Sequence, residues 1–217
     1  MRRYACSKPV ALALADGLIA NNDSFFDFGC GHGGDVKFLR QRKIDAAGWD
    51  PFHFPAQPVR QADVVNLGFV LNVIEDVRER AETLRAAFGL ARKLLIVSVR
   101  VEHGYSSLAE FGDGIITNKG TFQKIYTQAE FTQYVKDILG RNVQVAGIGI
   151  VYVFSNQDAE SEFLATQAFS RRLAYRTEVI EEFGRNDAAK RFIKLATKLG
   201  RIPLPDEFKE ALINAEL

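Results

Sequence analysis

The stretch Asp-Phe-Gly-Cys-Gly-His-Gly-Gly-Asp, residues 27–35, is the part of this sequence that says most about its fold. It ends a short apolar run, residues 24–28, which is too short for a helix and is typical of a buried strand. A segment with helical spacing, residues 35–42, follows it. Glycines between a strand and a helix let the chain turn sharply and let a ligand approach the backbone. The stretch therefore predicts a ligand-binding turn in an α/β protein.

The rest of the first 155 residues continues this alternation. Further strands are predicted at residues 46–50, 62–68, 94–99, 142–146 and 150–154, and further helices at 10–19, 78–90 and 127–139. Continuous Val, Ile and Leu runs separated by helices indicate a mostly parallel sheet covered on both faces. The last two strands form an antiparallel hairpin. The helix at 127–139 begins with a capping box, Thr127 to Glu130.

Two other regions have a different character. Residues 102–126 read as a long irregular stretch, and long loops inside compact domains are usually functional. Residues 156–217 read as a helical extension with helices at 160–183 and 187–199. The predicted division is a ligand-binding domain over residues 1–155 and a helical extension over residues 156–217.

The composition excludes several classes of protein. Among 217 residues, 47% are hydrophobic and 25% are charged, which excludes a disordered chain. The formal net charge is +1, which excludes a strongly basic surface that coats nucleic acid. Cys6 and Cys30 are too few for a disulfide framework, and no Cys/His cluster has zinc spacing, so no metal is expected. No apolar run reaches about 18 residues, so no membrane span is expected. The expected compartment is a reducing cytoplasm.

The glycine turn also fits a dinucleotide fingerprint, through Gly29, Gly31 and Gly34. Asp27 argues against that interpretation, because its carboxylate lies at the strand end, where it would repel a pyrophosphate. It suits a cationic ligand instead, such as an amino acid or a sulfonium. Asp50, 23 positions later at the end of the second strand, is placed to accept the hydroxyls of a ribose. Together the two carboxylates predict S-adenosylmethionine, with Asp27 near the methionine end.

The predicted cofactor contacts follow from these strand ends. Pro51 and Phe52 are placed to flank the adenine, with Phe52 equally compatible with ordinary core packing. The third strand ends at the same sheet edge, where ligands of open α/β sheets bind. The full set of candidates is Asp27, Gly29, Cys30, Gly31, Gly33, Asp50, Pro51, Asn66 and Leu67.

The first motif resembles that of class I S-adenosylmethionine-dependent methyltransferases. Six stretches together resemble the DNA phosphorothioation-associated methyltransferase family of bacteria: residues 27–35, 48–51, 62–76, 112–117, 120–124 and 200–208. The resemblance implies a Rossmann-like class I methyltransferase fold with S-adenosylmethionine as cofactor, and only weakly DNA as target. Members of that family extend further at both ends, so the chain is expected to be a shortened member or a fragment.

Motifs that would identify the methyl acceptor are mostly missing. Enzymes that methylate amino groups of bases carry Asp/Asn-Pro-Pro-Tyr/Phe where this chain has residues 66–69, Asn-Leu-Gly-Phe. Cytosine C5 chemistry needs a nucleophilic cysteine at that strand end, whereas Cys30 lies in the glycine turn and is expected to be a packing residue. Weak candidates for a general base are His32, with a solvent-facing spacer as the alternative, and Glu75, with a helix-start carboxylate as the alternative.

The long stretch after the fourth strand supplies the substrate-side candidates. These are Thr121, Gln123, Lys124 and Tyr126, with internal loop hydrogen bonds as the alternative interpretation. The predicted function is a methyltransferase acting on DNA in a phosphorothioation-linked defence system. Two alternatives stay open: an RNA or small-molecule methyltransferase, since the turn also resembles that of cap-guanine methyltransferases, and a non-catalytic S-adenosylmethionine-binding module.

Overall fold

A six-stranded sheet and a separate three-stranded sheet organise the chain. The computed structural model describes residues 6–101, 109–167 and 195. The strands are β1 (Ser24–Phe28), β2 (Asp45–Trp49), β3 (Ala62–Gly68), β4 (Ala91–Ser98), β5 (Ala109–Phe111), β6 (Gly114–Ile116), β7 (Phe122–Gln123), β8 (Gln144–Gly147) and β9 (Ile150–Phe154). The helices are α1 (Lys8–Ala15), α2 (Gly34–Gln41), α3 (Val77–Leu90) and α4 (Gln128–Leu139).

The large sheet has the strand order β2-β1-β3-β4-β9-β8. Strands β1 to β4 pair in parallel, while β9 pairs antiparallel with both β4 and β8. The predicted fold class is therefore confirmed: a Rossmann-like, mostly parallel α/β sheet with an antiparallel hairpin at its C-terminal end.

The core lies between the central strands and the helices α3 and α4. Phe26 of β1, Leu95 of β4 and Val153 of β9 belong to one buried cluster with Leu84 of α3 and Phe131 of α4. Burying such side chains is the main favourable term in folding, at about 1.5–3 kcal/mol each. The central strands are apolar on both faces because both faces are covered.

Most predicted elements match the structure within a few residues. The capping box of α4 is present, with Thr127 Oγ1 accepting from the Glu130 N–H at 3.1 Å and Glu130 reaching back to the Thr127 N–H. Helix α1 is shorter than predicted: it ends at Ala15 rather than residue 19, because Gly17 adopts a left-handed φ of 72° that stops the helix.

The prediction for residues 102–126 is wrong in one respect. The stretch is not wholly irregular, since it contains the antiparallel sheet β5-β6-β7. Gly112, with φ 57°, and Gly120, with φ 71°, lie in the two connections between its strands. Strands of two or three residues are too short to show an alternating pattern in the sequence.

The structure describes only part of the predicted C-terminal helices. Residues 157–167 are helical, and so is residue 195, while the rest of the two predicted tail helices lies outside the described residues. The chain divides into two compact units, Met1–Ala159 and Glu160–Leu217. The predicted domain boundary between residues 155 and 156 stays a prediction.

Within the described ranges, no helix is long and apolar enough to cross a bilayer, and no group of three or more ligating side chains is arranged to hold a metal.

Candidate functional site

The strand order creates a crevice at the carboxyl ends of β1 and β3. From β1 the chain moves outward to β2, and then crosses back to place β3 on the other side of β1. In open α/β sheets, ligands bind at such a point of reversal, outside the carboxyl ends of the strands. The glycine turn, residues 29–34, leaves β1 at this point.

A buried pair of polar side chains flanks the crevice. Asp27 of β1 and Asn66 of β3 are register partners, and their side chains are 4% and 2% exposed. The Asn66 Nδ2 group donates to Asp27 Oδ1 at 2.8 Å. The Asn66 Oδ1 atom is buried and accepts no hydrogen bond from the described residues. An unsatisfied buried acceptor is costly, so this atom points to a ligand that donates a hydrogen bond.

The environment of Asp27 disfavours its negative charge. Burial raises the pKa of its carboxyl group to about 7, the hydrogen bond from Asn66 opposes this rise, and the charges of Asp35 and Asp50 add to it. An anionic ligand would meet three carboxyl groups here. A cation would relieve their mutual repulsion, which agrees with the sequence-based preference for a cationic ligand over a pyrophosphate.

The glycine turn is held by the backbone of β2 and by Asp50. The N–H groups of Gly29 and Cys30 both donate to the Trp49 carbonyl, at 2.8 and 3.0 Å. Gly29 has a φ of 86°, and a Cβ there would lie 2.4 Å from Val70 Cγ2. Only glycine fits this position, because the loop after β3 packs directly against the turn.

Asp50 is already engaged by backbone amides. Its Oδ2 accepts from the Gly31 N–H at 2.9 Å, and its Oδ1 accepts from the N–H groups of Phe52 and His53, each at 2.9 Å. Partial burial opposes ionisation of Asp50, but these hydrogen bonds from His53, Phe52 and Gly31 prevail and lower its pKa. A carboxylate offers about four acceptor positions, so about one is left on Oδ2.

The loop after Asp50 is open to solvent. Pro51 is exposed, and Phe52 is 90% exposed, so the alternative that Phe52 is ordinary core is wrong. Phe54 instead turns towards Gly33, where a Cβ would lie 3.6 Å from its ring. Gly33 itself is the left-handed residue that opens α2.

Two histidines lie in contact at the edge of the turn, with their rings tilted by 39° to each other. The rings of His32 and His53 have centroids 4.1 Å apart, and both residues are exposed. His53 was not singled out in the sequence, because only the folded turn brings it to His32. The exposure of His32 fits the solvent-facing alternative, and its role as a base stays a prediction.

Cys30 is a packing residue in the turn. A Cβ on Gly48 would lie 2.9 Å from Cys30 Cβ and 3.0 Å from Val36 Cγ2, so the thiol occupies the space beside β2. Burial, followed by the charges of Asp27 and Asp50, raises the pKa of the Cys30 thiol to about 12. The thiol is therefore protonated at neutral pH and unsuited to nucleophilic attack.

The end of β3 combines buried and exposed residues. The side chain of Leu67 is fully buried in the core cluster, so only its backbone is available to a ligand. Asn72, fully buried, donates from Nδ2 to the Lys124 carbonyl at 2.7 Å and accepts at Oδ1 from the Arg100 N–H at 2.7 Å. Asn72 therefore joins the segments after β3, β4 and β7.

Two of the four substrate-side candidates are in contact, since the Lys124 ammonium lies 5.2 Å from the centre of the Tyr126 ring. Thr121 is exposed and its hydroxyl lies 2.8 Å from that of Thr117, while Gln123 is partly exposed on β7. The Lys124 ammonium lies 2.8 Å from Glu130 Oε1, and the Tyr126 ring is buried in the core. Their predicted contact with substrate stays a prediction.

The start of α3 accounts for the acidic pair that follows β3. Asp76 is the N-cap of α3, and its carboxylate accepts from the N–H groups of Arg78 and Glu79 at 2.8 Å. Glu75 is exposed beside it, which fits the helix-start alternative, and its role as a base stays a prediction.

One important residue carries no signal in the sequence. Arg80 is 1% exposed and binds Asp113 through two hydrogen bonds, of 2.7 and 3.1 Å. It also donates to the carbonyls of Ile74 and Glu75. On a helix that begins with several charged residues, only the tertiary contact distinguishes Arg80 from its exposed neighbours.

The chain was compared with protein families, curated proteins and solved structures. No family model matches the chain, and no curated protein matches it in sequence. Solved structures with a similar fold include the amino pentose methyltransferase CalS10 of Micromonospora echinaspora, at 13% identity over 69% of this chain and 90% of that chain, with a TM-score of 0.49. The sugar N-methyltransferase KedS8 of a Streptoalloteichus species is similar at 14% identity over 70% of this chain and 88% of that chain, with a TM-score of 0.49.

A third similar structure is the 1,6-didemethyltoxoflavin-N1-methyltransferase of Burkholderia thailandensis, which contains S-adenosylhomocysteine. It shares 12% identity over 68% of this chain and 78% of that chain, with a TM-score of 0.46. Likeness at this level supports no inference about function, so the function is argued from the site itself.

Proposed function

We propose that this chain is an S-adenosylmethionine-dependent methyltransferase. The observation that carries the proposal is the Asp27–Asn66 pair, which is buried at the point where the strand order reverses and retains a free acceptor on Asn66. A cofactor with an ammonium and a sulfonium group supplies the donors and the positive charge that this pair lacks.

The residues present fit the cofactor at both ends. Asp27 and Asn66 would receive the ammonium of its methionine part, and Asp50 would receive its ribose. Because three acceptor positions of Asp50 are taken by amides, we expect it to hold one ribose hydroxyl rather than two. The exposed Phe52 and Pro51 would cover the adenine.

The protein's contribution is mainly to orient the reactants. When bound, S-adenosylmethionine supplies a methyl group that its sulfonium already activates. The buried Asp27 carboxyl group and Asn66 would hold the ammonium, and the backbone of the glycine turn would orient the methionine part. A base is required only for an acceptor that must lose a proton, and His32 and Glu75 remain the candidates for that step.

For the methyl acceptor we retain DNA in a phosphorothioation-linked modification system, which rests on the resemblance of the six sequence stretches alone. An RNA or small-molecule acceptor is the alternative, as is a module that binds S-adenosylmethionine without turnover. Transfer of a labelled methyl group to DNA, RNA or small-molecule pools distinguishes the first two. Binding without transfer to any pool supports the third. We also propose that the protein acts in the cytoplasm.

The first experiment is calorimetric titration with S-adenosylmethionine and S-adenosylhomocysteine. We expect Asp27→Asn and Asp50→Asn each to weaken binding by about tenfold or more, about 1.4 kcal/mol. Asp45→Asn is the matched control, because Asp45 lies at the opposite end of β2 and pairs with Arg60. Absence of binding to the unmodified protein would contradict the proposal.

A further inference from the structure

The two histidines that contact each other come from different segments of the chain. His32 belongs to the glycine turn after β1, and His53 belongs to the loop after β2. Their ring centroids lie 4.1 Å apart, and both residues are exposed. Since neither residue is buried, core packing does not explain why the fold brings the two rings together.

Asp50 fixes the backbone on both sides of this pair. Its Oδ2 accepts from the N–H of Gly31, the residue before His32, and its Oδ1 accepts from the N–H of His53, each at 2.9 Å. The Asp50 carbonyl also accepts from the Phe54 N–H at 3.0 Å. Both imidazoles thus project from backbone that is already held in place. A ligand that joins the two rings therefore orders little additional chain, which favours its binding.

The ring nitrogens of both histidines are accessible to a metal ion. Among the residues that the structure describes, neither imidazole makes a hydrogen bond through a ring nitrogen. Neutral imidazole is the commonest metal ligand in proteins and suits zinc, nickel and copper ions. Partial burial opposes ionisation of Asp50, but its amide hydrogen bonds lower its pKa, so this neighbour of His53 is negatively charged at neutral pH. Its charge favours a cation beside the pair.

The separation of the two rings is close to that of two imidazoles on one metal ion. With Zn–N bonds of about 2.0–2.1 Å and tetrahedral angles, two imidazole ligands have their centroids about 5 Å apart. The observed separation is 4.1 Å, with the rings tilted by 39° to each other. Exposed side chains change their torsion angles readily, so a small rotation of one ring can direct a nitrogen of each histidine at the same ion.

We propose that His32 and His53 form a binding site for a divalent transition-metal ion of the zinc or nickel type, with water as the remaining ligands. The bound ion joins the glycine turn to the loop after β2, and so holds together the two segments that support Asp50. The site goes beyond the proposed function, because it requires no S-adenosylmethionine. A metal-bound His32 has no free nitrogen lone pair, so it cannot act as a general base while the ion is bound.

The test is calorimetric titration of Zn²⁺ and Ni²⁺ into the full chain without an affinity tag and without S-adenosylmethionine. We expect one ion per chain. Binding to His32→Gln and to His53→Gln should be at least tenfold weaker, because a single imidazole loses the advantage of two linked ligands. His103→Gln is the matched control, since His103 is the third histidine of the chain, and it should bind within twofold of the unmodified protein. Mg²⁺, which prefers oxygen ligands, should not compete.

Amide hydrogen exchange distinguishes a site that joins the two segments from binding by one exposed imidazole. In the unmodified protein, Zn²⁺ should slow exchange of the Phe52 and His53 amides, which donate to Asp50, at least fivefold. In His32→Gln it should leave their exchange unchanged. Without metal, both histidine variants should melt at the temperature of the unmodified protein, which verifies that they are folded. Absence of metal binding, equal binding by either variant, or equal competition by Mg²⁺ would overturn the inference.

Discussion

The buried carboxyl group of Asp27 sets the electrostatic character of the site. It lies among the charges of Asp35 and Asp50, in a setting where burial raises its pKa to about 7. A group with this pKa is partly neutral at physiological pH and becomes fully charged when a cation binds. Cofactor binding should therefore release a proton and strengthen as the pH rises through 7.

The same carboxyl group should make folding stability depend on pH. In the unfolded chain its pKa is about 3.9, so between about pH 4 and pH 7 the folded state holds a proton that the unfolded state has lost. Stability is thus lost as the pH rises through this window. Asp27→Asn, which still accepts from Asn66, should become more stable relative to the unmodified protein by about 2 kcal/mol between pH 5 and pH 8. Urea unfolding measures this difference, and a pH-independent difference would contradict it.

Gly29 is the glycine of the turn that tolerates substitution least. Gly29→Ala combines a left-handed φ with a Cβ 2.4 Å from Val70 Cγ2, so we expect a loss of roughly 2–4 kcal/mol in the free energy of unfolding. Gly31→Ala is the control, because its φ is 52° but no heavy atom lies within 4 Å of the added Cβ, and it should cost only about 1 kcal/mol. Denaturant unfolding compares the two. Equal losses would show that the contact with Val70 is relieved without cost.

The small sheet β5-β6-β7 is joined to the start of α3 by an ion pair between the buried Arg80 and the exposed Asp113. The hydrogen bonds from Arg80 lower the pKa of Asp113, which lies in the connection between β5 and β6. Lys124, which follows β7, lies 3.8 Å from the same carboxylate. The guanidinium of the buried Arg80 is the group that joins Asp113 to helix α3, so we expect the small sheet to depend on Arg80 for its position.

Hydrogen exchange can test this dependence. In Arg80→Met, amide exchange at residues 114–116 and 122–123 should accelerate at least tenfold, or about 1.4 kcal/mol of local stability, while β1 and β3 stay protected. Arg78→Met is the matched control, since Arg78 is exposed on the same helix. Similar exchange in both variants would mean that the sheet is held by other contacts.

Every candidate cofactor-site residue lies in the first compact unit of the chain, Met1–Ala159. The crevice is formed by the strand order β2-β1-β3, and the hairpin β8-β9 completes the same sheet. We therefore expect the cofactor site to form without the second unit.

A variant that ends at residue 159 should consequently retain the cofactor site. We expect its affinity for S-adenosylhomocysteine to lie within about twofold of the full chain, a difference of about 0.4 kcal/mol. Calorimetry measures the affinity, and circular dichroism verifies that the shortened chain is folded. A folded variant that binds much more weakly would assign part of the site to the second unit.

Local patterns in the sequence determined the central sheet, the glycine turn and the capping box of α4. Buried parallel strands are continuous apolar runs, and caps and turns depend on residues only a few positions apart. Strands, caps and turns of this kind can therefore be predicted without knowledge of the fold. The positions of Asp27 and Asp50 at strand ends were visible for the same reason.

Tertiary structure alone decided the contacts that give the site its chemistry. Asn66 meets Asp27 across 39 positions, the Gly31 amide takes up an acceptor of Asp50 across 19, and Arg80 finds Asp113 across 33. These pairings depend on which strands are neighbours in the sheet and on which loops lie close together. Residue types and spacings within a short stretch of sequence do not encode that information. For the same reason the short strands β5 to β7 could be recognised only in the folded structure, where distant segments pack together.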